Sequence, residues 1–170
     1  GFKTVKSNVL YIDKELVSNQ HASRLKSIAN NFNTGKPNNI FYYRDDKPLI
    51  ESTVLHEFIK SNQIGLVILD SFGFAFGDKL SGKKLDKVFE FLNGLNTTVY
   101  IVDHKTKMGK LTGSERKRDY ARSVIDVTLD EKQGNSIIMN FDQSKHNFGE
   151  LQDNIKVKMA FAPNQKNPTS

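Results

Sequence analysis

The chain has 170 residues, of which 37% are hydrophobic and 26% charged, the balance of a folded globular protein rather than a disordered one. No apolar run reaches the roughly 18 residues that a membrane-spanning helix needs. No signal-peptide pattern opens the chain, so secretion is not expected, and the absence of cysteine excludes disulfides and thiolate metal sites. With 25 basic and 19 acidic residues the net charge is +6 and the pI near 9.4, which favours an anionic partner. Residue 1 is Gly rather than Met, as in a processed chain or a piece of a longer one.

In chain order, Val9-Leu10-Tyr11-Ile12 is a short β-rich run that ends at Asp13. Ala22, Leu25, Ile28, Ala29 and Phe32 recur at helical spacing and predict a helix over residues 18–32. Gly35 and Pro37 mark a loop, and Ile40-Phe41-Tyr42-Tyr43 is a second strand. Val54, Leu55, Phe58 and Ile59 predict a helix over 51–62. Leu66-Val67-Ile68-Leu69 reads as a strand buried on both faces. Gly73 to Gly82 is expected to be a loop, followed by a helix over 83–95 with Leu85, Val88, Phe89, Leu92 and Leu95 inward. Val99-Tyr100-Ile101-Val102 is expected to be another buried strand, and residues 105–118 a basic, turn-rich stretch. Ser123 to Leu129, Asn135 to Phe141 and Ile155 to Phe161 are late strands without intervening helices.

Strands alternating with helices imply an α/β fold with a mostly parallel sheet flanked by helices. The late strands are expected as antiparallel additions at its C-terminal edge. One core is expected over residues 1–162, followed by a polar tail over 163–170.

In an open parallel sheet, ligands gather at the carboxyl ends of the strands. Three strands here end in acidic or imidazole groups: Asp13-Lys14-Glu15, Asp70-Ser71 and Asp103-His104. Acids also follow strands simply to start a turn or cap a helix. Together, in this order, they suit a reaction in which one carboxylate holds Mg²⁺ through water and another orients an attacking water. His21, His56 and His146 show no ligand spacing and imply no metal site.

These motifs resemble the RecA-like P-loop ATPases, especially the branch of hexameric replicative helicases of the RepA type, over roughly residues 9–150. Val9 to Glu15 resembles the strand that ends in the water-activating glutamate, a role the resemblance gives to Glu15. Leu66 to Ser71 is similar to the Walker B strand, which would place Asp70 behind Mg²⁺ and Ser71 beside it on the nucleotide side. Val102-Asp103-His104-Lys105-Thr106-Lys107 is similar to a Val-His-His-x-x-Lys motif, so His104 would sense the γ-phosphate; Asp103 stands where the motif has its first His. Lys145-His146-Asn147-Phe148-Gly149 resembles a Lys-x-Arg-x-Gly turn that reaches the neighbouring subunit's nucleotide. Lys145 would keep that role, whereas Asn147 holds the arginine-finger position and cannot neutralise transition-state charge. The resemblance thus implies ATP and Mg²⁺ as cofactors, single-stranded DNA as partner, a homo-oligomeric ring and a cytoplasmic location.

Two further features complete the reading. No Gly-x-x-x-x-Gly-Lys-Ser/Thr occurs in the chain; in the family that loop supplies the N–H groups and lysine that hold the phosphates. The chain is therefore expected to begin just downstream of a P-loop segment. Lys105, Lys107, Lys110, Arg116, Lys117 and Arg118, with Glu115 the only acid, place a charge of +5 in fourteen residues, where the family carries a DNA-contacting loop. Phe72, Phe74 and Phe76 offer stacking surfaces for bases or pack beneath the sheet. Two other classes remain open on the residues alone. One is a non-catalytic DNA-binding or assembly module. The other is a nuclease or Toprim-like domain in which Asp13, Glu15 and Asp70 ligate a metal directly.

Overall fold

The computed structural model describes residues 5–15, 18–31, 37–44, 48–77, 80, 82–105 and 116–161. The chain divides into two compact units, Gly1–Glu115 and Arg116–Ser170. The tail expected over 163–170 lies outside the described residues.

The first unit holds a four-stranded parallel sheet in the order β2-β1-β3-β4. Its strands are β1 (Asn8–Asp13), β2 (Ile40–Tyr43), β3 (Ile64–Asp70) and β4 (Thr98–Val102). Between them run α1 (Ser18–Asn31), a 3₁₀ turn (Leu49–Glu51), α2 (Leu55–Ser61), α3 (Phe72–Phe76) and α4 (Lys83–Gly94). Register decides which side chains share a face. Leu10 lies opposite Val67 and Ile12 opposite Leu69, and all four are at most 1% exposed.

That face meets α2 through an edge-on contact of Phe41 with Phe58, 5.7 Å between ring centroids, and α4 joins α2 there through His56 and Phe91. Leu85, Val88, Phe89 and Leu92 form the buried stripe of α4, as the helical spacing predicts. The other face carries Tyr11 and Tyr42, which are register partners, and α1 lies on it through His21. Helices therefore cover both faces.

Three expectations change. β4 is an edge strand of the described sheet, and Tyr100 is 46% exposed, so its apolar run does not signal burial on both faces. The segment after β3 opens not as a loop but as α3, in which Phe72 is buried against Phe76 and Phe89. The late strands do not extend the parallel sheet. β5 (Ser123–Gln133), β6 (Ser136–His146) and β7 (Ile155–Ala160) pair with one another in a separate three-stranded antiparallel sheet.

That second sheet follows the short helix α5 (Lys117–Tyr120). Gly134, at φ +55°, supplies the left-handed turn that closes β5 on β6. The sheet has two unlike faces. Asp126, Thr128, Asn140, Asp142, Lys156 and Lys158 share one, where Arg118 pairs with Asp126 at 3.6 Å and Lys156 with Asp130 at 2.8 Å. Val127, Leu129, Met139, Phe141, Ile155 and Val157 fall on the other, whereas Ile138 shares the first with its register partner Lys158.

The core can be weighed by truncation. Leu69→Ala removes a fully buried side chain from the central strand and is expected to cost about 2–5 kcal/mol. Ile28→Ala, on an exposed position of α1, should stay within about 0.5 kcal/mol. Urea unfolding of the two variants beside the parent chain checks the difference.

Candidate active site

Because β1, β3 and β4 are parallel neighbours, their carboxyl ends lie along one edge of the sheet. Asp13 and Asp70 are register partners, and the Lys14 N–H continues the ladder by donating to the Asp70 carbonyl at 2.8 Å. The Asp70–Ser71 peptide is cis. Asp103 and His104 follow directly after β4. The three strand ends singled out in the sequence thus meet in space.

Asp13 is fully buried. Its Oδ1 accepts the Glu15 N–H at 2.9 Å, and its Oδ2 accepts the Tyr42 hydroxyl at 3.0 Å. The turn after β1 is therefore an Asx turn, with Asp13 as its anchor. Glu15 is held out toward solvent, where its Oε2 lies 3.3 Å from His104 Nε2. The Asp103 carboxylate accepts the His104 N–H at 3.0 Å. Asp70 Oδ2 accepts the Tyr11 hydroxyl. Ser71, next to Asp70, is fully buried, and its hydroxyl has no hydrogen-bond partner among the described residues.

The two tyrosines and His21 form a layer behind the acids. The His21 ring packs against both Tyr11 and Tyr42, 4.4 and 4.5 Å from their centroids, which are 6.4 Å apart. Burial, followed by the hydrogen bond and charge of Asp70, raises the Tyr11 pKa. Burial and the hydrogen bond to Asp13 raise that of Tyr42. Both phenols therefore remain donors across the ordinary pH range. Burial lowers the His21 pKa, and Arg24 adds to that against the opposing charges of Asp13 and Asp70. Sequence reading missed all three residues. The available signal was local: Tyr11 stands two residues before Asp13 and so shares its face of the strand.

Beside Asp13 opens a cleft of about 820 Å³ between the ends of β1 and β2, the 3₁₀ turn, α3 and the start of α4. Lys14, Arg44, Lys84 and Lys87 line it together with Glu51 and Phe74. Phe74 is 64% exposed there, so one of the three phenylalanines does present its ring outward. Glu15, Asp70 and His104 do not line this cleft.

The remaining candidates are divided between the two units. Lys105 is exposed in the first unit, whereas Lys107 and Lys110 lie outside the described residues. Arg116, Lys117 and Arg118 belong to the second unit. Arg116 is exposed and donates to the Tyr120 hydroxyl at 3.4 Å, Lys117 is buried, and Arg118 is engaged by Asp126 and Ser144. Lys145 lies on β6, and its Nζ donates to the carbonyls of Arg118 and Asp119 at 2.7 and 3.1 Å. There it caps the orphan carbonyls of α5. The Asn147 N–H donates to the Arg122 carbonyl at 2.9 Å.

Among the described residues, no three of His, Cys, Asp and Glu converge as a metal-ligand set. Asp70 with the unpartnered Ser71 hydroxyl fits a cation held through its water shell. No family model matches the chain, and no curated protein matches it.

Two measurements probe this cluster. Above His21's ordinary pKa of 6.5, its ring is neutral in both the folded and unfolded chains. Below it, the unfolded chain takes up the proton first, so stability is full above that value and is lost as pH falls through the lowered folded value. His21→Phe keeps the stacking and removes the titration. Urea unfolding from pH 8 to pH 5 should therefore show a smaller loss in the variant than in the parent. Tyr42→Phe strips a donor from a buried carboxylate and is expected to cost about 1–3 kcal/mol at pH 7 in the same assay.

Proposed function

We propose that the first unit is the catalytic part of a RecA-like ATPase that couples Mg²⁺-dependent ATP hydrolysis to movement on single-stranded DNA. The observation that carries this reading is the shared edge on which Glu15, Asp70 and His104 stand, with Glu15 and His104 in contact at 3.3 Å. On this reading the Glu15 carboxylate orients a water and draws its proton. Its position is held by the Asp13 turn behind it. Asp70, kept in place by the Tyr11 hydroxyl, and Ser71 hold hydrated Mg²⁺, which supplies charge neutralisation at the phosphates. His104 reports the charge beside Glu15 along β4 to the basic segment that begins at Lys105. A cytoplasmic ring of several copies belongs to the same reading.

No helix among the described residues is long and apolar enough to cross a membrane. The phosphate-holding loop is not among these 170 residues, and the reading requires the assembly to provide it. Lys145 supports the trans role least, because its ammonium is spent on the carbonyls of Arg118 and Asp119.

Hydrolysis is tested in an assembly that contains the loop. Glu15→Gln and Asp70→Asn should each lower ATP turnover by roughly a hundredfold or more with the fold intact. Normal turnover in both would sink the assignment. The DNA role is tested on the chain itself by fluorescence anisotropy with labelled oligothymidylate. Binding should weaken as salt rises, and replacing Lys105, Lys107 and Lys110 by Gln should flatten the log–log salt slope by about 0.7 for each phosphate that is no longer neutralised.

A further inference from the structure

The cleft beside Asp13 has a volume of about 820 Å³, within the roughly 300–1,000 Å³ of pockets that enclose a small molecule. Lys14 and Arg44 line it from the ends of β1 and β2, and Lys84 and Lys87 from α4. The two lysines of α4 stand one helical turn apart, so they share a face, and both are exposed. The described lining holds two acids against these four cations. One of them, Asp13, is buried and has both oxygens engaged by the Glu15 N–H and the Tyr42 hydroxyl. The other is Glu51, which is exposed. An excess of positive charge in a concave site focuses the field on an anion.

Apolar surface opens onto the same space. Phe74 of α3 is 64% exposed and Ile50 of the 3₁₀ turn 40%. Phe72 and Ala75, buried on the same short helix, hold Phe74 at the cleft. A guanidinium and several ammonium groups suit phosphate oxygens, and an exposed phenyl ring suits the flat face of a base.

We infer that this cleft binds a nucleoside phosphate free in solution. Three features select that class. The cations outnumber what a single carboxylate would neutralise, and match a ligand carrying two or more negative charges. The ring of Phe74 and the side chain of Ile50 would stay uncovered by an inorganic anion. Five elements bound the cleft, and its described lining offers one largely exposed ring, whereas a nucleic-acid strand needs an open groove with successive platforms. Glu15, Asp70 and His104 do not line the cleft. The inference is therefore independent of the catalytic reading, and binding here needs no Mg²⁺.

The test is isothermal titration calorimetry of the full chain in EDTA, with ADP, GDP, pyrophosphate and adenosine as probes. At least one of the two nucleotides is expected to bind about tenfold or more tighter than pyrophosphate or adenosine, because it alone covers both parts of the lining. Phe74→Ala should weaken that nucleotide about fivefold or more and leave pyrophosphate unchanged. Replacing Lys84 and Lys87 together by Gln should weaken nucleotide and pyrophosphate alike, by about tenfold or more. Lys26→Gln, on an exposed position of α1 outside the cleft, should change neither. All of these side chains are exposed, and circular dichroism checks that each variant keeps its fold. No binding of either nucleotide at about 1 mM, pyrophosphate binding as tightly as the nucleotide, or binding indifferent to the Phe74 and lysine variants would overturn the proposal. So would binding that appears only with Mg²⁺, which would put the nucleotide at the candidate active site, or oligothymidylate that binds tighter than the nucleotide and loses affinity in the same variants.

Discussion

Two carboxylates stand side by side at the middle of the parallel sheet, and the edge of the first unit is organised around keeping them there. Asp13 and Asp70 are register partners on adjacent strands, so their backbones are fixed about 4.8 Å apart by the sheet itself. Each carboxylate is held by a phenol from the strand beside its own: Tyr42 of β2 reaches Asp13 of β1, and Tyr11 of β1 reaches Asp70 of β3. Each strand thus constrains its neighbour's last residue. His21 packs against both rings, which ties α1 to the same arrangement.

From this constraint the placement of the exposed groups follows. Asp13 uses its other oxygen to hold the Glu15 backbone, and the turn it makes carries the Glu15 carboxylate past the sheet edge to His104. Buried acid, turn and exposed acid form one unit, in which the first positions and the second is available to a ligand. This division of labour is the physical reason to read Glu15 rather than Asp13 as the group that meets a reactant.

Much of the first unit was legible in the sequence, because short apolar runs and 3.6-residue periodicity report directly on β1, β2, β3, α1 and α4. The failures share a cause. An apolar run such as Val99–Val102 reads the same in a central strand and at an edge, since only the order of strands in space distinguishes them. Phe72 to Phe76 lies among glycines that suggest a loop, yet the packing of Phe72 on Phe89, seventeen residues on, outweighs that local signal. The late strands were recognised as strands, but their partners depend on register between distant segments. The acids and His104 were singled out because strand ends are visible in a sequence. Tyr11 and Tyr42 were not, because their hydroxyls answer to residues 59 and 29 positions away. The charge run hides a difference that composition does not show: Lys117 is buried and Arg118 is engaged by Asp126.

The aromatic layer has an optical consequence. The chain contains no tryptophan and five tyrosines, so its near-ultraviolet absorption and emission come chiefly from phenol rings. Two of the five have their hydroxyls bonded to the carboxylates at the sheet edge and their faces against one imidazole. A displacement of Asp13 or Asp70 changes the electronic surroundings of Tyr42 or Tyr11 directly. The protein therefore carries its own chromophores beside the candidate site, and events there can be followed spectroscopically without a label.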